Sequence, residues 1–261
     1  MSSPAARRTA LVTGGGRGLG RDITLALVQH GWAVAVTGRD PASLDGVVAD
    51  GAALALPGDA TDRRAVQEAV LLAEAELGPL DLLVANAGRF ATGGPLWEID
   101  PDEWWRDVEV NLRGVQLALW AALPGMVARG AGRVVALGSG FGNTASPHGS
   151  GYGVGKTAVH RLVESVAAEL AGTGVVALSV SPGRVRTDMS TDFPTGFTNA
   201  YPEYLQPPAE GWAPAEAVAG LVVRIGDGEL DALSGRFVRP ATRVPVTTGS
   251  DAGTLRLVPY E

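Results

Sequence analysis

Apolar and polar residues along this chain fall into blocks whose period changes repeatedly. Short, nearly continuous apolar runs stand at 9–12 (TALV), 32–37 (WAVAVT), 53–58 (ALALPG), 80–85 (LDLLVA), 133–138 (RVVALG) and 175–181 (VVALSVS). Runs of that length, bounded by glycine or polar turn residues, predict buried strands. Between them the apolar positions recur at helical spacing. Leu19, Ile23, Ala26 and Leu27 share one face of a helix that Gly31 stops. Asp40 caps a helix with Pro41 at its first position. Residues 62–77 form an amphipathic helix closed by Gly78-Pro79. A long helical region covers about 101–129, and Pro124 inside it predicts a kink or a new segment. A helix over 152–171, opened by Tyr152, follows the fifth strand. Residues 188–212 read as irregular and rich in proline and aromatics. A short helix at 214–225, a last strand at 235–240 and a tail at 241–261 without clear periodicity complete the chain.

Strands that alternate with helices, and that are apolar throughout, predict a parallel sheet covered on both faces, an α/β fold. Right-handed crossovers then bring the carboxyl ends of all strands to one edge. Those ends are Gly14–Gly20, Gly38-Arg39, Asp59, Asn86–Gly88, Ser139 and Pro182-Gly183. Every unusual polar or glycine cluster therefore falls on that edge. Neither an internal repeat nor a second domain is visible, so 1–261 reads as one domain.

Composition narrows the partners. The 261 residues suffice for one large core, and 46% hydrophobic against 19% charged residues is too apolar for disorder. A net charge of −7 argues against nucleic acid or an anionic membrane as partner. No apolar run reaches the roughly 18 residues of a membrane span. The N-terminus passes directly into a strand without a signal peptide, which predicts a cytoplasmic protein. The chain has no cysteine, and its three histidines, His30, His148 and His160, are scattered, so disulfides, thiol chemistry and a histidine metal site are not expected.

The glycine run lies between a strand and a helix, where free backbone N–H groups and the helix dipole favour a diphosphate. The Gly-x-Gly-x-x-Gly fingerprint fails here, and Thr13-Gly14-x-x-x-Gly18-x-Gly20 is what fits. At the end of the second strand, a 2′-hydroxyl binder would be acidic. The chain instead offers Arg39, which with Arg17 is suited to a 2′-phosphate, favouring NADP(H) over NAD(H). Asp59, with Ala60 beside it, stands where it accepts from an adenine amino group or serves as a turn residue. Ser139 precedes Tyr152 by thirteen residues, and Lys156 lies four residues further on the same helix face. A phenol, a cation and a hydroxyl in one place can perform acid–base chemistry.

These residues resemble the short-chain dehydrogenase/reductase family. The resemblance rests on Thr13-Gly14-x-x-x-Gly18-x-Gly20, Asp59, Asn86-Ala87-Gly88, Asn111, Ser139, Tyr152-x-x-x-Lys156 and Pro182-Gly183-x-Val185-x-Thr187, in family order over 9–190. It implies a Rossmann-type doubly wound sheet of about seven strands, ordered 3-2-1-4-5-6-7. It also implies a homodimer or homotetramer built on the helices around 101–129 and 152–171. Three substitutions depart from the pattern. Ala85 replaces an asparagine, Gly16 stands where a phosphate-binding serine is common, and Gly155 replaces a serine. The tail 241–261 lacks the family's aspartate–glycine–glycine close.

The resemblance implies a cofactor site of Gly14, Gly16, Arg17, Gly18, Leu19, Gly20, Arg39, Asp59, Ala60, Asn86, Ala87, Gly88, Tyr152, Lys156, Pro182, Gly183, Val185 and Thr187. Tyr152 is the expected general acid, and Ser139 would hydrogen-bond the substrate carbonyl. Lys156 would also bind the nicotinamide ribose. Asn111 would hold a water that links Lys156 to solvent, or else make a backbone bond within its helix. Val185 and Thr187 would hold the nicotinamide carboxamide. Phe90, Trp97, Phe141, Asn143, His148 and Phe193 are candidate walls of the substrate site, with 188–212 as a lid over an apolar or aromatic ketone. Three readings follow: an NADPH-dependent ketoreductase of free small molecules, a 3-oxoacyl-carrier-protein reductase docking through Arg129 and Arg133, or a repurposed relative performing non-redox cyclisation or epimerisation.

Overall fold

The apolar runs become seven strands of one sheet in a computed structural model that describes residues 7–209 and 211–241. They are β1 (Thr9–Thr13), β2 (Ala33–Gly38), β3 (Leu54–Pro57), β4 (Leu80–Ala85), β5 (Gly132–Leu137), β6 (Val175–Val180) and β7 (Phe237–Val238). All pairings are parallel, and the order is β3-β2-β1-β4-β5-β6-β7, as the family resemblance implies. The order reverses between β1 and β4, which opens a crevice at their carboxyl ends.

Helices α1 (Gly18–Gln29), α2 (Pro41–Ala49), α3 (Arg63–Leu77), α4 (Pro101–Val108), α5 (Gly114–Arg129) and α6 (Ser150–Glu169) alternate with the strands. Beyond β6 lie α7 (Asp188–Thr191), α8 (Thr195–Ala200) and α9 (Ala215–Gly226). Along β1 the side chains take alternate faces, as a strand requires. Leu11 joins one core layer with Leu83, Val134, Met126 of α5 and Val159 of α6. Val12 joins the other with Val84, Val135, Leu27 of α1 and Val222 of α9. The Asp40 and Asp62 carboxylates cap α2 and α3 by accepting backbone N–H bonds.

Four local expectations are corrected. Pro124 does not break its helix, because it lies on the exposed side of α5, where water can serve the carbonyl that loses its donor. The irregularity falls earlier, in a π-helical turn at Glu109–Arg113 that carries Asn111 between α4 and α5. The 188–212 stretch is not irregular throughout. It contains α7, begun by a capping box between Thr187 and Ser190, then α8 and a 3₁₀ turn at Pro202–Leu205. These helices are too short for a periodic signal. The last strand shrinks to the two residues of β7, and residues 242–261 of the expected tail lie outside the described residues. Helix α6 opens at Ser150, two residues ahead of Tyr152.

Candidate active site

The crevice between β1 and β4 is built by close backbone approach. Gly14 and Gly18 adopt positive φ, 65° and 50°, which side-chain-bearing residues rarely do. A Cβ on Gly20 would stand 2.1 Å from the Gly14 carbonyl oxygen, so the first turn of α1 can only pack there as glycine. Thr13 and Asn86 stitch the two strand ends together. The N–H groups of Asn86 and Ala87 donate to Thr13 Oγ1 at 3.0 and 3.1 Å. Asn86 Nδ2 donates to the carbonyls of Thr13 and Gly14 at 2.9 and 3.1 Å. A Cβ on Gly16 would lie 2.6 Å from Ser43 Oγ, so Ser43 occupies the space that a serine at 16 would need.

Further along the edge, Arg39 is exposed after β2, and the acid beside it, Asp40, is committed to capping α2. Asp59 Oδ1 accepts from the Thr61 N–H and hydroxyl, both at 2.8 Å, so half of this carboxylate makes the local turn. Partial burial acts to raise the Asp59 pKa. The Thr61 bonds, with the charges of Arg39 and Arg106, still bring it below the ordinary value. Ala60 packs against Gly114 at the start of α5. Gly183, at φ 70°, turns the chain after β6. Val185 then pairs with Ala213 in a single parallel bridge, and its carbonyl accepts from Ser190 Oγ at 2.7 Å. Thr187 reaches the glycine loop, its Cβ 3.7 Å from where a Gly18 Cβ would be. Arg17 is exposed and 3.9 Å from Asp188. Leu19 backs the loop against the core.

Ser139, Tyr152 and Lys156 converge at the carboxyl end of β5. Lys156 is 4% exposed, and its Nζ donates to the Leu137 carbonyl at 2.8 Å. Burial lowers its pKa from 10.5 to about 8. The Nζ stands 5.6 Å from the centroid of the Tyr152 ring. Enclosure raises the Tyr152 pKa, while a hydrogen bond with the Ser139 side chain opposes that rise. Ser139 Oγ also accepts the Phe141 N–H at 3.2 Å, so its own proton remains to be donated. Asn111 is fully buried. Its Nδ2 donates to the carbonyls of Arg89 and Asp107 at 2.5 and 2.7 Å, and its Oδ1 accepts from Arg89 N–H at 3.3 Å. The backbone bond within its helix is thus present, to Asp107 four residues earlier. A Cβ on Gly88 would meet Asn111 Oδ1 at 3.0 Å and Lys156 Nζ at 3.6 Å, which places all three together. A Cβ on Gly155 would come within 2.9 Å of Asn111 Cβ, so this departure lets α6 press against the π turn.

Aromatic rings cover the phenol. Phe90 stacks on Tyr152 with centroids 4.7 Å apart and planes 12° apart. Phe141, Phe193 and Phe197 approach Phe90 edge-on at 6.2, 5.5 and 5.2 Å. Tyr204 closes the cluster against Phe141, Phe193 and Phe197. His148 takes φ 60°, the one non-glycine positive φ among the described residues, and meets Tyr201 edge-on at 5.8 Å. Phe90, Phe141, His148 and Phe193 are therefore all brought to this region. Trp97 is not, being 85% exposed on a 3₁₀ turn. Asn143 is no wall either, since its side chain faces His160.

The sequence reading passed over three residues. Arg184 donates to the carbonyls of Tyr204 and Gln206 and lies over the Tyr204 and Trp212 rings, pinning these three residues to the strand edge. Asp107, fully buried, accepts from Ala91 and Thr92 and pairs with Arg89, holding the loop that carries Phe90. His160 is 4% exposed behind Ser139, and its spacing gave a usable signal: it follows Lys156 by four residues, on the face that carries Tyr152. Arg129 and Arg133, by contrast, are tied to Glu74 and Asp231. Among the described residues no acidic or histidine cluster could hold a metal, and no helix is long and apolar enough to cross a membrane.

The fold, the glycine crevice and the Ser139–Tyr152–Lys156 grouping match known proteins. The chain belongs to the short-chain dehydrogenase family, whose sequence profile covers residues 8–196. A short chain dehydrogenase of Pseudocercospora fijiensis is 39% identical over 189 residues, 70% of this chain and 61% of that protein. The match thus spans less than two thirds of that relative's length. A 2-dehydro-3-deoxy-L-rhamnonate dehydrogenase (NAD(+)) of a Sphingomonas species is 32% identical over 72% of this chain and 76% of its own. Among solved structures, a variant of actinorhodin polyketide ketoreductase with NADPH superposes with a TM-score of 0.81 at 26% identity, covering 91% of this chain and 97% of the other. That family comprises oxidoreductases that use nicotinamide cofactors and act on alcohol or ketone groups.

Proposed function

We propose that this protein is an NADPH-dependent ketoreductase acting on a small apolar or aromatic ketone. The observation that carries this reading is the convergence of Ser139, Tyr152 and Lys156 beneath a wall of aromatic rings, on the sheet edge that also carries the glycine crevice. The crevice fits a dinucleotide, because the space a Gly18 side chain would fill is open except for Thr187 at 3.7 Å.

Gly14, Gly16, Gly18 and Gly20 would let the backbone approach the diphosphate, with Leu19, Asn86, Ala87 and Gly88 shaping the crevice. Arg39 and Arg17 would take a 2′-phosphate. The residue after β2 is the cationic Arg39, and one oxygen of the next acid, Asp40, is engaged in its cap, which supports NADP(H) over NAD(H). Asp59 and Ala60 would border the adenine, and Pro182, Gly183, Val185 and Thr187 the nicotinamide. When bound, the reduced nicotinamide supplies the hydride.

The chain's own groups handle the proton. Tyr152, with its pKa raised by enclosure, is fully protonated at neutral pH and is ready to donate to the developing alkoxide. Ser139 would hold the carbonyl oxygen by donating its hydroxyl proton to it. The Lys156 ammonium favours the phenolate left behind and would bind the ribose. Asn111, beside Gly88 and Lys156, would keep the water that restores the proton from solvent. Phe90, Phe141, His148 and Phe193 would contact the substrate, and 188–212 would close over it. Because Arg129 and Arg133 are already paired, a free small molecule is favoured over a carrier-bound one. Exposed Trp105 and Val154, on α4 and α6, support a homo-oligomer built on those helices.

The test is a fluorescence titration with NADPH and NADH, followed by a ketone panel read as loss of reduced cofactor. Tighter NADPH binding with turnover of aryl or alkyl ketones is expected. Nucleotide binding without turnover of any ketone would instead favour non-redox chemistry. A carrier-protein thioester reduced far better than its free analogue would favour the carrier reading.

A further inference from the structure

Three side chains project from one side of α6 at successive turns, Tyr152, Lys156 and His160. The first two face the site. His160 lies a turn further on, and its ring is wedged behind Ser139. The slot it occupies is made of glycine. A Cβ on Gly138 would stand 2.4 Å from His160 Nε2, and one on Gly142 would stand 2.7 Å from Cε1. Phe237 of β7 closes the slot with its ring centroid 4.3 Å away.

The ring makes two hydrogen bonds, and together they fix its protonation. The Ser139 backbone N–H can only donate, and it points at Nε2 at 3.3 Å. Nε2 is therefore the acceptor and carries no proton. Nδ1 then holds the proton and donates it to Asn143 Oδ1 at 3.0 Å. Burial, with the nearby Lys156 charge, lowers the His160 pKa to about 4, in keeping with a neutral imidazole. The two bonds grip the two ends of one turn. Between Ser139 and Asn143 lie Gly140, Phe141 and Gly142, preceded by Gly138. Glycines hold no backbone conformation by themselves. The placement of the Ser139 hydroxyl thus depends on what clamps the turn.

We propose that His160 is a positioning residue for Ser139: a neutral imidazole that clamps residues 139–143 from behind and sets the Ser139 hydroxyl against Tyr152. The proposal rests on the ketoreductase reading above, in which Ser139 holds the substrate carbonyl. It makes His160 active only through Ser139, touching neither substrate nor cofactor.

A double-mutant cycle on the full chain tests it, using the best ketone from the panel, with NADPH affinity and thermal stability measured on every variant. H160L keeps the bulk but neither bond. Its kcat should fall by roughly tenfold or more, while its NADPH Kd stays within about twofold. H160Q offers a carbonyl for the Ser139 N–H and an amide for Asn143, and it should restore most of kcat. The decisive comparison is with S139A. If His160 works through Ser139, S139A/H160L should turn over no slower than S139A alone. Equal kcat for H160L and the native protein would overturn the proposal, as would an H160L loss that is the same size with and without Ser139. If H160L does not fold, the exposed Asn143 provides the second arm. N143L removes one of the two bonds and should lower kcat in the native background but not beside S139A, and equal losses in both backgrounds would again overturn it. Failure of the underlying reading looks different, because S139A alone would then retain full turnover.

Discussion

Replacing Lys156 by methionine should make the nucleotide-free protein more stable at neutral pH and less stable at alkaline pH. Lys156 is buried, and its pKa falls from 10.5 in the unfolded chain to about 8 in the folded one. Below about 8 the lysine is charged in both states, so the folded state carries the full cost of burying the ammonium. The displacement corresponds to about 3 kcal/mol. As pH rises from about 8 to 10.5 the folded state loses its proton first, the unfolded state binds more protons, and stability climbs with pH. Methionine of similar length removes the charge but also the bond to the Leu137 carbonyl at 2.8 Å. Leaving that carbonyl unserved costs about 1–3 kcal/mol. The expected net gain for Lys156→Met at pH 7 is about 1 kcal/mol, or about 2–4 °C in Tm. Above pH 10.5 only the lost bond remains, and the variant should be the less stable protein. Urea unfolding of both proteins at pH 7 and at the alkaline end measures this directly, with m-values checked for equality. A stability difference that does not change with pH would refute the reasoning, because it would mean that Lys156 carries no burial penalty.

Other substitutions test other parts of the site. Gly20→Ala places a Cβ 2.1 Å from a backbone oxygen that cannot turn aside, so it should cost about 3 kcal/mol in thermal or urea unfolding and abolish nucleotide binding. Arg39→Ala should weaken NADPH about tenfold and leave NADH unchanged, as read by fluorescence titration; equal losses for both would assign Arg39 no phosphate. Phe90→Ala removes the ring stacked on Tyr152 and admits water, so the phenol pKa should move down toward 10, followed as phenolate absorbance against the Tyr152→Phe background.

The sheet was legible because its strands are apolar on both faces and short, and because turn residues mark their ends. That alone brought Gly14, Asn86, Ser139 and Pro182 to one edge. The Tyr152–Lys156 pairing was legible because helical spacing translates directly into a shared face. What escaped depended on contacts between distant segments. Nothing near Pro124 in sequence shows that its missing donor faces solvent, nor that Asn111 would sit in a π turn gripping Arg89. The 188–212 helices are shorter than the period that reveals helices, and their order comes from rings of Phe193, Phe197 and Tyr204 and from Arg184. Trp97 looked like a wall by residue type but points into solvent. Gly155 read as a missing serine, whereas the close approach of Asn111 explains it. His160 was the most consequential omission. Scattered histidines argue against a histidine metal site, but a lone histidine two turns from Tyr152 still has a face, and that face is the back of Ser139.

The central claim is that Tyr152 delivers the proton to a ketone and adds little to the grip on the nucleotide. Stopped-flow mixing of Tyr152→Phe with NADPH, then with the best ketone of the panel, measures both events on one protein. The account predicts an NADPH Kd within about twofold of the native protein and oxidation of bound NADPH slowed by about 10²–10⁴. Full turnover by Tyr152→Phe would contradict it.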